Sequence, residues 1–252
     1  MRLKDKVAII TGGAEGIGRA YALAFAGEGA KLVIADINLT AANVLIKALE
    51  EKKTEAVAIK TDVSKVADTE QMAKATIERF GRIDIIVNNA AMFQRPAVKR
   101  APVWELDPSE FEKVIAVNLT GTFLGCRAVL PKMIKQKKGK IINIGSSLAY
   151  LGAAGMSHYS ASKGGVVIFS RALAREVGIY NINVNVICPG FTLSLDPAAI
   201  TDELRQHEIP QRIFKRTEQP EDLVGTAIYL ASPDSDFVTG QTVVVDGGVI
   251  LH

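Results

Sequence analysis

Val7-Ala8-Ile9-Ile10-Thr11-Gly12-Gly13-Ala14-Glu15-Gly16-Ile17-Gly18 opens the chain and decides its fold. A short apolar, β-branched run that stops at a glycine cluster reads as a buried strand. The stretch beyond it, to about Gly29, reads as a helix. A strand that feeds a helix through a glycine turn is the first unit of a parallel α/β sheet.

Working outward, the same alternation continues to the end of the chain. Further strands are predicted at Lys31 to Ala35, Ala56 to Lys60, Ile83 to Val87, Lys140 to Ile144, Asn183 to Cys188 and Thr242 to Val245, with helical stretches between them. Seven such strands predict a doubly wound (Rossmann) α/β fold, a seven-stranded parallel sheet with helices on both faces. No linker, repeat or low-complexity tract interrupts the series, so residues 1–252 are expected to form a single domain. The alternation lapses only between Pro189 and Gln219, and an excursion of that length suits a lid over a substrate, residues 189–219. Asp107-Pro108-Ser109-Glu110 supplies an N-cap, a proline at the first helical position and an acid two residues on. It opens a long helix that contains Asn118 and that Gly139 is expected to close. Pro220, Glu221 and Asp222 open a late helix ending near Ser232-Pro233.

Composition narrows the function classes. The chain has 252 residues, is 48% hydrophobic and carries a formal charge of +3, too small to argue for a polyanion, so nucleic acid is not an expected partner. Met1 to Lys6 runs straight into the first strand without an apolar leader, and a soluble cytoplasmic protein with no membrane association is expected. Cys126 and Cys188 lie in apolar runs too far apart for metal ligation, which reads as two buried small hydrophobes and no metal site. Lys132, Lys135, Lys137, Lys138 and Lys140 read as a solvated basic helix end.

Two features carry chemistry. Glycines at the first turn let backbone amides approach a pyrophosphate, and the helix N-terminus favours its charge. Asp36, eighteen residues past Gly18 at the end of the second strand, stands where an acid binds an adenosine ribose. A ribose 2′-phosphate against Asp36 would meet like charge, Glu15 adds to it, and Ile37 supplies no cation, so NAD is favoured over NADP. The second feature is Tyr159 and Lys163, four apart on a predicted helix and so on one face. A nearby ammonium favours a phenolate and is expected to lower the tyrosine's pKa toward a range useful for acid and base work. His158 points about 100° away from that face and reads as a rim histidine, while Trp104 and Phe111 read as packing residues.

These motifs resemble the short-chain dehydrogenase/reductase family along essentially the whole chain. The resemblance rests on Thr11 to Gly18, Asp62-Val63, Asn88-Asn89-Ala90-Ala91, Asn118, Ser146, Tyr159 with Lys163, and Pro189 to Ser194, in family order. Ala91 stands where the family has glycine, and Ser194 where threonine is commoner. The resemblance implies a catalytic set of Asn118, Ser146, Tyr159 and Lys163. It implies cofactor contacts from Gly12, Glu15, Gly16, Ile17, Gly18, Asp36, Ile37, Asp62, Val63, Asn88, Ala90, Tyr159, Lys163, Pro189, Gly190, Thr192 and Ser194. In it Tyr159 moves the hydroxyl proton, Lys163 tunes the tyrosine and holds the nicotinamide ribose, Ser146 binds the substrate oxygen, and Asn118 positions a water. Homotetramers are common in the family.

Residues flanking these motifs, Phe93, Leu148, Tyr150, Leu151, Ala153, Ala154, Phe191 and Leu195, are expected to line the substrate pocket. Being mostly apolar, they suit an aliphatic, cyclic or aryl secondary alcohol and its ketone, so NAD-dependent hydride transfer on such a substrate is the expected activity. The alternative is a 3-oxoacyl-[acyl-carrier-protein] reductase, which would need a basic docking surface; Arg127 and the stretch Arg171 to Arg175 could contribute to one.

Overall fold

The computed structural model describes residues 1–93, 98–193, 206 and 209–251. Its strands are β1 (Val7–Thr11), β2 (Lys31–Asp36), β3 (Ala56–Lys60), β4 (Ile85–Asn88), β5 (Gly139–Ile144), β6 (Ile182–Pro189) and β7 (Thr242–Val245). All seven are in one parallel sheet, in the order β3-β2-β1-β4-β5-β6-β7. The order reverses between β1 and β4, and the crevice beyond the strand ends at such a reversal is where ligands bind in doubly wound sheets.

Period-two alternation along each strand feeds two cores. Ala8, Ile10, Leu32, Ile34 and Val87 face one side, where they meet Tyr21 and Phe25 of α1 (Gly16–Gly27), Leu45 and Leu49 of α2 (Leu39–Glu51), and Leu223 and Leu230 of a late helix, Glu221–Ala231. Ile9, Val33, Ile86, Ile141 and Val184 face the other. That side packs on Met72 of α3 (Val66–Phe80), on Val129 and Met133 of the helix Gly121–Gln136, and on Leu173 and Val177 of the helix Ser157–Val177. Each fully buried side chain of this size contributes about 1.5–3 kcal/mol. The strands read continuously apolar because both faces are covered.

The long helix is built from three pieces. α4 (Pro108–Ile115) starts at Asp107, whose carboxylate accepts from the Ser109 amide. One wider, π-type turn, Ala116–Thr120, carries Asn118, and α5 (Gly121–Gln136) follows. Gly139 does not close it: Lys137 takes the left-handed conformation at φ 52°, and Gly139 already belongs to β5, where a Cβ would press into Met133. On length and composition alone Pro108–Gln136 could cross a membrane, yet it contributes Leu124, Cys126, Val129 and Met133 to the buried interior. Its last side chain also trims β4. The Gln136 amide donates to the Ile83 carbonyl and accepts from its N–H, so the strand starts at Ile85.

Two surface expectations fail. Lys140 is not at a solvated helix end but buried in β5, where it bonds Asp236 at 2.7 Å and Ser235 at 3.1 Å. Burial lowers its pKa, and Asp236 pulls the other way. Trp104 is 84% exposed and Phe111 is also exposed, so neither anchors the core of this chain. Cys126 and Cys188 are buried, as expected. Further α-helices among the described residues are α6 (Leu148–Leu151), α7 (Ser157–Val177) and α8 (Glu221–Ala231).

Candidate active site

Beyond the C-terminal ends of β1, β2, β4, β5 and β6 lies a cleft of about 1120 Å³. Its floor is the glycine turn. Gly12 sits at φ 59°, and a Cβ there would come 2.8 Å from the Ala90 Cα. A Cβ on Gly18 would run into the Gly12 carbonyl and the Asn89 amide. Three backbones therefore touch where only hydrogen fits. Asn89 ties them together: its Nδ2 donates to the carbonyls of Thr11 at 3.1 Å and Gly12 at 2.9 Å. The Thr11 hydroxyl in turn accepts from the amides of Asn89 and Ala90.

This arrangement sorts the expected cofactor residues. Gly12, Glu15, Gly16, Ile17, Asp36, Ile37, Asp62, Val63, Ala90, Pro189, Gly190 and Thr192 line the cleft with Tyr159 and Lys163. Gly18 does not; it is a packing position. Nor does Asn88, whose buried amide bonds Asn143 at 2.8 Å and the Cys126 sulfur. Ser194 lies outside the described residues, as do residues 195–205, 207 and 208 of the expected lid. Ala91 lines the cleft and is not among the described residues at positive φ, so the missing glycine costs no backbone strain.

Asp36 is held by the turn it faces. One carboxylate oxygen accepts from the Ala14 amide at 3.0 Å, the other from Asn38 at 2.9 Å. Acceptor capacity remains on both oxygens for a diol. Asp62 accepts from the Ser64 hydroxyl at 2.6 Å, the main reason its carboxyl sits below the usual range.

At the other end, Ser146 follows β5 while Tyr159 and Lys163 come from the first two turns of α7. Lys163 is buried, its Nζ donating to the Ile144 carbonyl at 2.8 Å and lying 5.9 Å from the Tyr159 ring centroid. Burial brings its pKa down to about 8. Tyr159 is also buried, and burial pushes its phenol well above the ordinary value, against a hydrogen bond with Ser146 that lowers it. The expected depression is therefore not produced by the protein alone: the ammonium is aimed at a carbonyl, and desolvation of the phenolate outweighs the Ser146 hydrogen bond.

Asn118 does not reach the cleft. Its Oδ1 accepts from the Met92 amide at 2.8 Å, and its Nδ2 donates to the Met92 carbonyl and to Ser162 Oγ. That amide pins the segment after β4 to α7. Phe93, Leu148, Leu151, Ala153, Ala154 and Phe191 do line the cleft, with the Phe93 and Tyr159 rings 5.0 Å apart. Tyr150 is half exposed and not part of the lining, because α6 turns it outward; Leu195 lies outside the described residues.

His158 overturns its reading as a rim residue. It is fully buried, and neither ring nitrogen has a hydrogen-bond partner among the described residues. Burial lowers its pKa, with Glu110 of α4 pulling upward. Turning away from Tyr159 takes it under α4 rather than into solvent. Residues not singled out as site residues also line the cleft: Thr61, Asn89, Ser147, Met156, Arg100, Gln211, Arg212 and Val249. Asn89 was legible in its motif, and Arg212 as a polar residue of the stretch 189–219 read as a lid.

Residues 12–250 match the family model described as enoyl-(acyl carrier protein) reductase. The chain is 38% identical to galactitol 2-dehydrogenase of Agrobacterium fabrum, with 98% of each chain covered. Levodione reductase superposes with a TM-score of 0.90 at 34% identity, covering 98% of each chain. The 3-ketoacyl-(acyl-carrier-protein) reductase of Brucella melitensis, complexed with NADH, does so with a TM-score of 0.89 at 32% identity, covering 99% of this chain and 100% of that one. With a model matched over nearly its whole length and relatives of this similarity, the chain belongs to the short-chain dehydrogenase/reductase family of oxidoreductases that act on alcohol and ketone groups.

Proposed function

We propose that the chain interconverts a secondary alcohol and a ketone with NAD(H), on an apolar aliphatic, cyclic or aryl substrate. The observation that carries this reading is that Ser146, Tyr159 and Lys163 line the same cleft as the glycine turn and Asp36. The cleft fits a nicotinamide dinucleotide: it has a backbone cradle at Gly12 that a Cβ would fill and an oriented carboxylate at Asp36. NAD is favoured because, among the described residues, the cations lining the cleft are Arg100, Lys163 and Arg212, and none of them is on the stretch from Asp36 to Ile37. The relative complexed with NADH agrees with this choice.

When bound, the dinucleotide accepts the hydride in oxidation and donates it in reduction. Tyr159 takes the substrate hydroxyl proton in one direction and returns it in the other. Its raised pKa keeps the phenol protonated, so the proton that reduction needs is in place; for oxidation the cations at Lys163 and on the oxidised nicotinamide bring it down. Ser146 donates to the substrate oxygen and stabilises negative charge there. Lys163 holds a ribose hydroxyl, and Asn118 fixes Met92 and Ser162 beneath these groups. The apolar lining from Phe93 to Phe191 excludes water around the reacting carbon. The test is turnover of a panel of secondary alcohols with NAD before and after Tyr159→Phe. Unchanged turnover in the variant would sink the assignment.

The second reading is a 3-oxoacyl-[acyl-carrier-protein] reductase, favoured by the acyl carrier protein in the names of the family model and the Brucella relative. Arg171 and Arg175 are exposed beside a shallow groove and could dock a carrier, whereas Arg127 is already paired with Glu70 at 2.8 Å. Comparing an acyl thioester with a free ketone separates the two. A cytoplasmic location and a homotetramer complete the proposal, the latter testable by solution mass.

A further inference from the structure

Segment Pro189–Leu193 leaves β6 and forms one wall of the cleft beside Ser147, whose amide donates to the Pro189 carbonyl at 2.9 Å. It is held by two residues further along the chain, Glu218 and Arg212. The Leu193 amide donates to the Glu218 carbonyl at 3.0 Å, the Thr192 hydroxyl donates to Glu218 Oε1 at 2.8 Å, and Arg212 Nη2 donates to the Phe191 carbonyl at 2.6 Å. Glu218 and Arg212 are 4% and 2% exposed, with Oε2 and Nη2 4.0 Å apart. Among the described residues, Glu218 Oε2, Arg212 Nε and the nearby Tyr21 hydroxyl have no hydrogen-bond partner. Hiding an incompletely satisfied ion pair is a poor way to gain stability, since desolvation offsets the attraction. What this pair does provide is a fixed wall.

We infer that Glu218 and Arg212 are positioning residues for the proposed hydride transfer: they brace Phe191 and Thr192 at the reacting end of the cleft, and the brace is tighter when Glu218 is ionised. The inference rests on the dinucleotide reading of the cleft. Ionised, Glu218 gives Thr192 a charge-assisted bond and Arg212 a counter-charge; neutral, it gives neither. Among the described residues, the other charged or titratable groups around it are Arg216 on its own stretch, Asp222 of α8, Tyr21 of α1, and Asp246 after β7, whose carboxylate is taken up by the amides of Gly248, Val249 and Ile250. Burial pushes Glu218 up to about 7, with Thr192 and Arg212 pulling down, so the brace changes state in the neutral range.

The experiment is NADH binding by fluorescence titration from pH 5.5 to 9 for the wild-type chain, Glu218→Gln and Glu218→Ala, with kcat and KM at each pH. Wild-type affinity should strengthen about threefold or more as pH rises through neutrality. Glu218→Gln, close in shape and never charged, should lack that rise, so the ratio of wild-type to variant affinity should climb from about one at pH 5.5 to about threefold or more above neutrality. Glu218→Ala should weaken NADH roughly tenfold, as loss of a buried charged hydrogen bond does, with KM raised more than kcat is lowered. Titration of Lys163 near pH 8 is common to all three chains and cancels. A Glu218→Gln profile that tracks wild type at every pH overturns the inference, as does unchanged binding in Glu218→Ala. A wild-type chain that binds neither NADH nor NADPH overturns the cofactor reading instead, and that is seen before any variant is made.

Discussion

Replacing Glu218 by Gln should flatten the pH dependence of stability. Burial raises its carboxyl from the ordinary 4.5 to about 7 in the folded chain. Below pH 4.5 both the folded and unfolded chains carry the proton, and the raised pKa contributes its full stabilisation. Between 4.5 and about 7 the unfolded chain releases the proton while the folded chain keeps it, so stability falls as pH rises. At about 1.4 kcal/mol for each pH unit, the loss across that window is on the order of 3 kcal/mol. Gln keeps the oxygen that accepts from Thr192 and has no proton to lose. Equilibrium urea denaturation followed by far-UV circular dichroism is the assay, because Trp104 is too exposed to report on the core. Lys140, His158 and Lys163 add their own slopes, but these are equal in both chains and vanish in the difference. The stability of the variant relative to wild type should rise by roughly 2–3 kcal/mol between pH 5 and pH 8. Parallel curves would refute the reasoning, for they would mean that water reaches Glu218 and that its carboxyl titrates near the ordinary value.

Tyr159→Phe should lower kcat by about a hundredfold or more, the range of a lost acid–base group, while NADH binding stays within a factor of about two; a steady-state assay beside a fluorescence titration checks both. Lys163 titrates at about 8, so the alkaline limb of the wild-type rate profile should centre near that pH, and Lys163→Met should abolish the limb along with most of the activity. Gly18→Ala forces a methyl against the Gly12 carbonyl and Asn89, and overpacking of that kind costs about 1–3 kcal/mol; denaturation should read the loss, and NADH affinity should fall with it. Asp36→Ala should reduce the ratio of kcat/KM for NAD over NADP by about tenfold or more, the effect of removing one charge opposite a phosphate; an unchanged ratio would mean that another group sets the preference.

The two ends of the cleft were readable to different depths. Each motif residue that touches backbone at a strand end, such as Gly12 or Asp36, was legible because the turn chemistry is local: one strand, one turn and one helix N-terminus suffice. Asn118 and Asn88 carried the same motif signal, yet their amides face Met92 and Asn143 rather than the cleft, and spacing does not reveal which way an amide faces. His158 shows the limit of helical-wheel reasoning. An offset of 100° from Tyr159 excludes one face, but α7 is covered by the sheet on one side and by α4 on another, so a second face is not automatically wet. Lys140 failed in a similar way: a basic run looks solvated until the last lysine of the run enters a strand and meets Asp236, 96 residues on.

What the sequence determined by itself was the order of strands and helices along the chain, the parallel sheet, and the glycine turn, Asp36 and the Tyr159–Lys163 pair at its strand ends, since period, glycine turns and caps act within a dozen residues. Tertiary structure decided the electrostatics. Tyr159 was expected to be lowered by Lys163 and is raised by burial; Glu218, unremarked in the sequence, becomes a titrating brace because Thr192 and Arg212 close over it. A pKa depends on how much water is left around a charge and on which partners arrive from elsewhere in the chain, and both exist only after the sheet has brought β5, β6, α7 and the stretch before α8 to one place.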